Sequence, residues 1–586
     1  MSFEDIRDII GWIVEAILLT GVLWLLVRRV ALPDVRRPLL WVTMSSFALR
    51  AAIGLALFLI SLYQLPILRS MQLPGGFWTL AIDASGYDWE AHRVLNALGG
   101  APLGQLVSPA FAWLLGLVYY VFGQAPTQGL LMNSAFAAAC GPLVYAIGRT
   151  CKIESRRSLV AAIIVCYFPS TFAWSAQLLK DALQWLIIIV VLLGAAQIMA
   201  MSEGRKRLHW RLAIVPVLAI MAASLLTAWL RGNSTSPVLL GSMLLGVLLW
   251  TLAEPARAAG PAIGRQSKAA AGRISQWWSF AVAQRFGLLF LLERIKASPP
   301  RLVPSIVVFG AVALGTLPAY VSFLPLATGP AVVAGPRPNI YINTDTGEVV
   351  TLPPPKPRPV ATGGAAGAEE PEASAEAEAP EAYDLPAMHL APLPPPPAPT
   401  SSLCKALGIY GLAVARDGFV RTGGYTIIDP TAQFRNCFDI LKYTPRAFQM
   451  VFLAPGPTDW FRNGVSVGAA KYFEFMDSVI IWALVPGLIV GMAQAIRRPV
   501  AAKTIIAMYV LVFGFVMGFV VANFGTLYRI RLQVWLPAAV LSADGWFVLW
   551  AWLSTALRRK RQSAPAAVSP APGFEMARAT ATTPPQ

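Results

Sequence analysis

The sequence predicts an all-α polytopic membrane protein with about eleven transmembrane helices, and two observations support this class. Of its 586 residues, 56% are hydrophobic and only 13% are charged, whereas soluble domains average about 45–50% apolar and about 25% charged residues. Apolar stretches of about twenty residues, the length that crosses a bilayer core, recur along the chain. A water-soluble protein of this size could not bury so much apolar surface, so lipid must cover part of it.

Hydrophobic periodicity and length place the spans in chain order. They are 9–27, 39–62, 129–148, 159–173, 183–201, 212–230, 236–252, 302–324, 476–496, 504–522 and 533–553. Every second loop between them is rich in Lys and Arg, as at 149–157, so the positive-inside rule predicts that these loops are cytoplasmic. The N-terminus is therefore expected outside and the C-terminus in the cytoplasm, and the expected location is the inner membrane if the protein is bacterial. The net charge of +17 reflects these loops, and nucleic-acid binding is not expected.

The charge rule also divides the chain into regions. Counting 106–122 as a span would put the basic loop that follows it outside, so we interpret this segment as a helix at the outer interface. The predicted regions are an N-terminal membrane region 1–324 with its outer loop 63–128, an outer loop 325–400, a folded outer segment 401–475, membrane helices 476–553 and a low-complexity cytoplasmic tail 554–586. Within the outer loop, the Pro, Ala and Glu composition of 353–400 predicts disorder.

The cysteines and histidines bound the metal and disulfide chemistry. Five Cys and three His occur without a CxxC or HExxH motif, so a zinc site is not expected, and a divalent metal is left open. Cys404 and Cys437 both lie in the folded outer segment. A disulfide between them and two free thiols are equally consistent with the sequence.

Ionisable groups near or in a membrane are costly and commonly functional, and the first set lies in the first outer loop. Asp83, Asp88 and Glu90 follow one another around Tyr87 and lead into an amphipathic helix. A carboxylate here can serve as a general base if it is held close to a nucleophilic hydroxyl. The alternative is a solvated loop whose acids have no chemical role.

Two further sets lie at the same predicted face. Lys180 and Asp181 stand at the outer end of a helical hairpin, and Tyr528, Arg529 and Arg531 stand before the last span. In an extended stretch the two arginines would project to one side, and their guanidiniums suit phosphate binding. Snorkelling of these cations toward lipid head groups is the alternative.

Three charges lie within the spans themselves. Glu15 is in the first span, Arg50 in the second and Asp544 in the last. An unpaired charge in hydrocarbon would cost several kcal/mol, so an Arg50–Glu15 ion pair is expected.

Four short motifs gather these residues into a recognisable pattern. They are Asp83-Ala84-Ser85-Gly86-Tyr87 with Ala91 and Gly99-Gly100, Ser108-Pro109 with Leu114-Leu115 to Phe122-Gly123, Gly141-Pro142-Leu143-Val144-Tyr145 to Arg149 with Pro169 and Asp181, and Gly525-Thr526-Leu527-Tyr528-Arg529-Ile530-Arg531. Together they resemble the GT-C superfamily of integral-membrane glycosyltransferases, which includes protein O-mannosyltransferases and bacterial aminoarabinose transferases. The resemblance covers roughly residues 39–200 and 402–553.

The resemblance implies a sugar donor carried on a polyprenyl phosphate and an acidic base in the first outer loop. That base would be Asp83, with Asp88 or Glu90 as alternatives because several relatives carry two adjacent acids where this chain has one. The donor phosphate would contact Arg529, Arg531 and Lys180, with Tyr87, Asp181 and Tyr528 near the site.

The expected function is transfer of the sugar to an acceptor glycan, lipid or protein hydroxyl at the outer face, with inversion. A membrane polysaccharide polymerase or ligase is an alternative, and a flippase for lipid-linked oligosaccharides is a second. The transferase prediction requires that Asp83 and Arg529 meet at one face of the membrane.

Overall fold

Helices form nearly all of the structure, a computed structural model that describes most of the chain. The described residues are 3–103, 106–202, 210–231, 241, 303–315, 340–343, 349–351, 390–392, 409–421, 427–456, 470–498 and 500–563. Within them, eight helices are long and apolar enough to cross a membrane, and nine spans result if one bent pair counts as a single span. The protein is therefore an α-helical multi-pass membrane protein.

The helices run in the following order. They are α1 Phe3–Val30, α2 Arg36–Leu62, α3 Asp83–Leu98, α4 Pro109–Phe122, α5 Pro126–Thr150, α6 Ser155–Cys166, α7 Pro169–Ser175, α8 Asp181–Ser202, α9 Trp210–Arg231, α10 Val303–Gly315, α11 Ile409–Arg421, α12 Cys437–Phe452, α13 Ala470–Arg497, α14 Ala501–Val520, α15 Phe524–Ile530 and α16 Leu532–Ser563. Three 3₁₀ turns, Arg69–Met71, Pro74–Gly76 and Thr79–Ala81, join α2 to α3.

Nine of the eleven predicted spans coincide with these helices, the bent pair α6–α7 counting as one. Predicted span 236–252 lies outside the described residues, and of 302–324 only the part in α10 is described. The count of eleven is therefore not confirmed. Helix α4 has 14 residues, which gives about 21 Å at 1.5 Å per residue and falls short of a bilayer core of about 30 Å. This length agrees with a helix that does not span, and its place at the outer interface stays a prediction.

Three regions outside the spans differ in part from expectation. A small antiparallel sheet has the strand order β2-β1-β3, formed by Ile340–Asn343 (β1), Val349–Thr351 (β2) and Leu390–Pro392 (β3). Strand β3 falls in the stretch predicted to be disordered, where backbone pairing with β1 orders three residues. Helix α16 continues through Ser563, so the first ten residues of the predicted low-complexity tail 554–586 are helical.

The outer segment 401–475 contains the described helices α11 and α12 and the start of α13. Helix α12 begins with a capping box in which Asn436 accepts from the backbone N–H of Asp439 and Asp439 accepts from that of Asn436. The side chain of Arg416 on α11 is buried and donates to the carbonyls of Phe519 and Ile428. These bonds hold α11 against the end of α14, because the arginine satisfies carbonyls that a helix end leaves open.

Close helix packing is clearest between α13 and α16. A Cβ added to Gly545 would stand 1.8 Å from the carbonyl oxygen of Gly487, and one added to Gly491 would stand 2.2 Å from that of Leu541. Lipid tails are as apolar as leucine, so helices in membranes associate through van der Waals contact between close backbones, which small residues permit. The glycines therefore let α13 and α16 touch along their backbones.

The bend between α6 and α7 surrounds Arg50. The two helices meet at 47°, and the guanidinium of Arg50 donates to the carbonyl of Cys166 and to the hydroxyls of Thr171 and Ser175 at 2.7–2.9 Å. The expected ion pair between Arg50 and Glu15 is wrong, since no bond joins them among the described residues. The broken helix supplies the partners instead. The N–H of Ser170, four residues after Cys166, bonds to Asp477, so the Cys166 carbonyl accepts from Arg50.

The third charge within the spans, Asp544, lies at the other end of the bundle. Its carboxylate accepts from Lys503 at 2.6 Å and from Arg157 at 3.2 Å. This ion triplet joins α16, α14 and α6 on the side where the sequence predicts the cytoplasm.

Candidate functional site

A cavity of about 390 Å³ opens where the starts of α3, α7 and α15 approach the first turns of α13. Carboxylates, hydroxyls, an amide and aromatic rings share its walls. The lining residues are Thr79, Leu80, Ile82, Asp83, Ser170, Ala173, Trp174, Glu474, Asn523, Gly525, Thr526, Tyr528 and Arg529. Pockets of this size that combine apolar walls with a few convergent polar groups are typical ligand sites.

The segment that precedes α3 fixes the position of Asp83. The indole N–H of the buried Trp78 donates to the carbonyl of Leu57 at 3.1 Å. The hydroxyl of Ser61 lies 2.6 Å from the carbonyl oxygen of Phe77, to which it donates. These bonds fold the 3₁₀ turns back onto the end of α2. Asp83 is then the first residue of α3, and its side chain is half exposed at the cavity wall.

A short capped helix presents Arg529 to the same cavity. The side chain of Asn523 accepts from the backbone N–H of Thr526, so α15 begins immediately after α14 ends. Arg529 donates through Nη1 to Asp83 at 3.0 Å, and through Nε and Nη2 to Asp181 at 3.0 and 2.8 Å. Residues 446 positions apart thus form one ion pair, which brings Asp83 and Arg529 together as expected.

Two carboxylates on one guanidinium shift its protonation equilibrium. Burial by itself lowers the pKa of Arg529. Asp181 and Asp83 raise this pKa by more than burial lowers it, so it lies above its ordinary value. Asp181 is fully buried as the first residue of α8, where the positive end of the helix also stabilises a carboxylate. Arg529 therefore remains a cation at every physiological pH.

Arg531 lies elsewhere, and the expectation that both arginines project to one side is wrong. Residues 524–530 are helical rather than extended, and side chains two positions apart on a helix point in different directions. Arg531 is fully buried, donates to the carbonyl of Ala454 and pairs with Asp477 at 3.4 Å. Its guanidinium also lies 4.1 Å from the ring centre of Tyr528. It is absent from the cavity lining, whereas Tyr528 contributes to it.

Lys180 also lies apart from the cavity lining. Its ammonium group donates to the hydroxyl of Ser108 at 2.8 Å and stands 5.4 Å from the ring centre of Tyr87. Tyr87 itself packs edge-on against Phe111 of α4. These contacts tie the start of α8 to α3 and α4, so Lys180 and Tyr87 support the helices around the site.

The two alternative bases, Asp88 and Glu90, form hydrogen bonds that connect α3 to α4. Glu90 is buried and accepts from the backbone N–H groups of Val107 and Ser108, which fixes the start of α4. Asp88 accepts from Tyr119 at 2.6 Å. Burial raises the pKa of Asp88 against the opposing effects of Tyr119 and His92, and the pKa of Tyr119 is raised well above its usual value by burial and by Asp88. Neither acid lines the cavity.

Sequence reasoning missed several cavity residues. Ser170 and Trp174 lie on α7, and the guanidinium of Arg529 stands 5.8 Å from the ring centre of Trp174. Glu474 reaches the cavity from α13. Ser170 also donates its backbone N–H to the buried Asp477, the partner of Arg531, at 2.8 Å. In the sequence, the only signal for this wall was the pair of acids, Glu474 and Asp477, at the start of the predicted span 476–496.

The structure bears in part on the expected metal binding and disulfide formation. Among the described residues, no group of three or more His, Cys, Asp or Glu side chains is placed to hold a metal ion. Cys404 lies outside the described part of the chain, so the suggested pair with Cys437 stays a prediction.

Comparison with known proteins adds no family to this geometry. No family model, no curated protein and no solved structure matches the chain.

Proposed function

We propose that the protein is a membrane glycosyltransferase that moves a sugar from a polyprenyl phosphate to an acceptor hydroxyl at this cavity. The observation that carries the proposal is the meeting of Asp83 and Arg529 at one cavity wall. The resemblance to GT-C enzymes, which rests on motifs around these same residues, also supports it. The loop charges favour the outer face for the cavity, and the resemblance to bacterial members of the superfamily favours a bacterial cell envelope.

The proposed chemistry needs one base and one cation. The acceptor oxygen attacks the anomeric carbon while its proton passes to the carboxylate of Asp83. The bond from the anomeric carbon to the phosphate oxygen breaks, and its electron pair leaves with the polyprenyl phosphate. Attack opposite to the leaving group inverts the anomeric configuration.

Arg529 would stabilise the charge that develops on the departing phosphate. A fixed cation lowers the barrier most when it faces charge that grows in the transition state. Asp181 keeps this guanidinium oriented, and water need not reorganise around it. Arg531 and Lys180 have no part in the proposed phosphate contact, because neither side chain lines the cavity.

Transfer by purified protein in lipid nanodiscs tests the proposal, with short-chain polyprenyl-phosphate sugars as donors. Asp83→Asn removes the base and should lower turnover by about 10²–10⁴-fold. Arg529→Ala should lower it by about 10²–10³-fold. Arg435→Ala is the matched control, because Arg435 is exposed and, within the described part of the chain, bonds only to neighbouring residues of its own loop and helix start.

Three results would contradict the proposal. One is a wild-type protein that transfers no sugar from any donor of the panel. A second is full turnover by folded Asp83→Asn protein, which would remove Asp83 from the role of base. The third is equal loss of turnover in Arg529→Ala and Arg435→Ala, since the exposed arginine has no proposed role.

A further inference from the structure

The two carboxylates on Arg529 differ sharply in their surroundings. The side chain of Asp181 is 0% exposed and that of Asp83 is 52% exposed. A buried carboxylate without its cation costs several kcal/mol, whereas an exposed ion pair contributes little. Asp181 is therefore a permanent counterion, and the contact with Asp83 is the one that can be given up.

The nitrogen atoms of Arg529 divide in the same way. Asp181 occupies Nε and Nη2 through one of its oxygens, and Asp83 occupies Nη1. Both Asp83 and Arg529 line the cavity, whereas Asp181 is absent from its lining. A ligand in the cavity therefore reaches the guanidinium from the Nη1 side, where Asp83 stands.

We propose that the phosphate of the lipid donor and the carboxylate of Asp83 compete for Nη1 of Arg529, so that the donor must displace Asp83 before transfer. The proposal rests on the proposed function and concerns the order of events at the same site. It assigns to Asp83 a second role, that of a built-in competitor for the donor.

The repulsion between anions favours the exchange. The guanidinium already faces two carboxylates, and a phosphate bound beside Asp83 on one nitrogen would place two anions within a few ångströms of each other. Such like charges repel at short range. Asp83 can leave at low cost because its side chain is half exposed, and Asp181 still holds the guanidinium after it leaves.

The exchange also links the two substrates. A carboxylate bonded to Arg529 has an oxygen committed to that bond, and a base must instead lie within hydrogen-bond reach of the hydroxyl that it deprotonates. The arriving phosphate therefore frees the Asp83 carboxylate for the acceptor. Donor binding precedes productive acceptor binding in this scheme.

Binding of farnesyl phosphate, which carries the phosphate and lacks the sugar, tests the competition directly. The dissociation constant is measured by calorimetry with the full chain in nanodiscs. Asp83→Asn should tighten binding about two- to fivefold, the size expected from an exposed ion pair of about 0.4–1 kcal/mol. In the Arg529→Ala background, Asp83→Asn should no longer increase the affinity for farnesyl phosphate.

Glu474→Gln is the matched control, because it removes the same charge from the wall that α13 contributes to this cavity. If Glu474→Gln tightens binding as much as Asp83→Asn, the effect is general electrostatics and the competition is disproved. Unchanged or weaker binding by Asp83→Asn disproves it as well.

This experiment separates the inference from the proposed function. Tighter phosphate binding by Asp83→Asn, with no transfer by the wild type, would support competition at Arg529 and overturn the glycosyltransferase. Transfer by the wild type, with no gain of affinity in Asp83→Asn, would leave the enzyme and overturn the competition.

Discussion

Arg50 and Arg529 are two charged side chains that the same bundle accommodates in opposite ways. Arg50 is sealed at the α6–α7 bend, where its partners are neutral oxygens and the ring of Phe172 at 4.0 Å. No carboxylate pairs with it in the described part of the chain. Arg529 stands at a cavity wall, and its partners are the carboxylates of Asp83 and Asp181.

The difference shows what each arginine can do. Neutral oxygens that also belong to the broken helix cannot be exchanged without opening the bend, so Arg50 is a structural cation. The two carboxylates on Arg529 belong to different helices, α3 and α8, so one of them can be exchanged for another anion while the other stays in place. Charge in a membrane protein marks function most directly where the partner is itself charged and one partner is exposed.

The largest expected effect is a loss of stability when Arg50, the structural arginine of this comparison, is replaced. Arg50→Met keeps much of the side-chain volume but removes the bonds from the guanidinium to the Cys166 carbonyl and to the hydroxyls of Ser46, Thr171 and Ser175. A hydrogen bond to a charged group contributes about 1.5–3 kcal/mol, and Ser46 still donates to the Cys166 carbonyl, so we expect a loss of about 3–5 kcal/mol in unfolding free energy. Thermal unfolding in detergent measures it, with Arg28→Met as control because Arg28 is exposed near the end of α1 and stacks on Trp24. Equal unfolding temperatures for both variants would show that the bend does not depend on Arg50.

A smaller effect should separate the two carboxylates of Arg529. Asp181→Asn removes a fully buried counterion and should cost about 3 kcal/mol of unfolding free energy, because Arg529 keeps a charge that burial penalises. Asp83→Asn removes a half-exposed partner, and its cost should be below about 1 kcal/mol. Denaturation of both variants under one condition gives the ranking. The reverse order would contradict the view that Asp181 is the permanent partner.

The smallest effects concern acids outside the spans and their pH dependence. Burial raises the pKa of Asp88, so the folded protein binds this proton more tightly than the unfolded chain, and the Asp88 contribution to stability falls as pH rises through the raised pKa. For Asp429, burial acts upward, but bonds from Arg446 and Tyr443 lower the pKa overall. Its contribution is therefore present above the ordinary carboxyl pKa and is lost as pH falls through the lowered one.

Unfolding temperature measured across acidic pH in wild type, Asp88→Asn and Asp429→Asn tests these opposite signs. Each variant should remove one of the two slopes, and the Asp429 effect should be below about 1 kcal/mol because Arg446 is 41% exposed. If the contributions of both acids to stability fall as pH rises, burial rather than the cation partner controls both pKa values.

The sequence predicts the membrane helices well, because each span carries its own apolar signal. It also singled out Asp83 and Arg529, since charges are conspicuous beside apolar spans. The partner of Arg50 was wrong because a helix break satisfies an arginine with backbone and hydroxyl oxygens, which leave no charge pattern. Arg531 was misjudged because a seven-residue helix between two spans has too little periodicity to be distinguished from an extended loop.

The wall formed by α7 and α13 was out of reach for a related reason. Ser170 and Trp174 have the composition of an ordinary membrane segment, and only the bend at Arg50 turns them toward the cavity. Their role depends on a contact between residues more than a hundred positions apart.

The glycine contacts of α13 and α16 have a mechanical consequence. Backbones that touch at Gly487 and Gly545 cannot rotate or slide past each other without a clash, so the two helices behave as one stiff strut. The cavity wall on α13 is anchored to that strut. The opposite wall begins at α3, whose start is held to α2 by the bonds of Trp78 and Ser61. A bulky lipid head group should therefore be admitted without movement of α13 against α16.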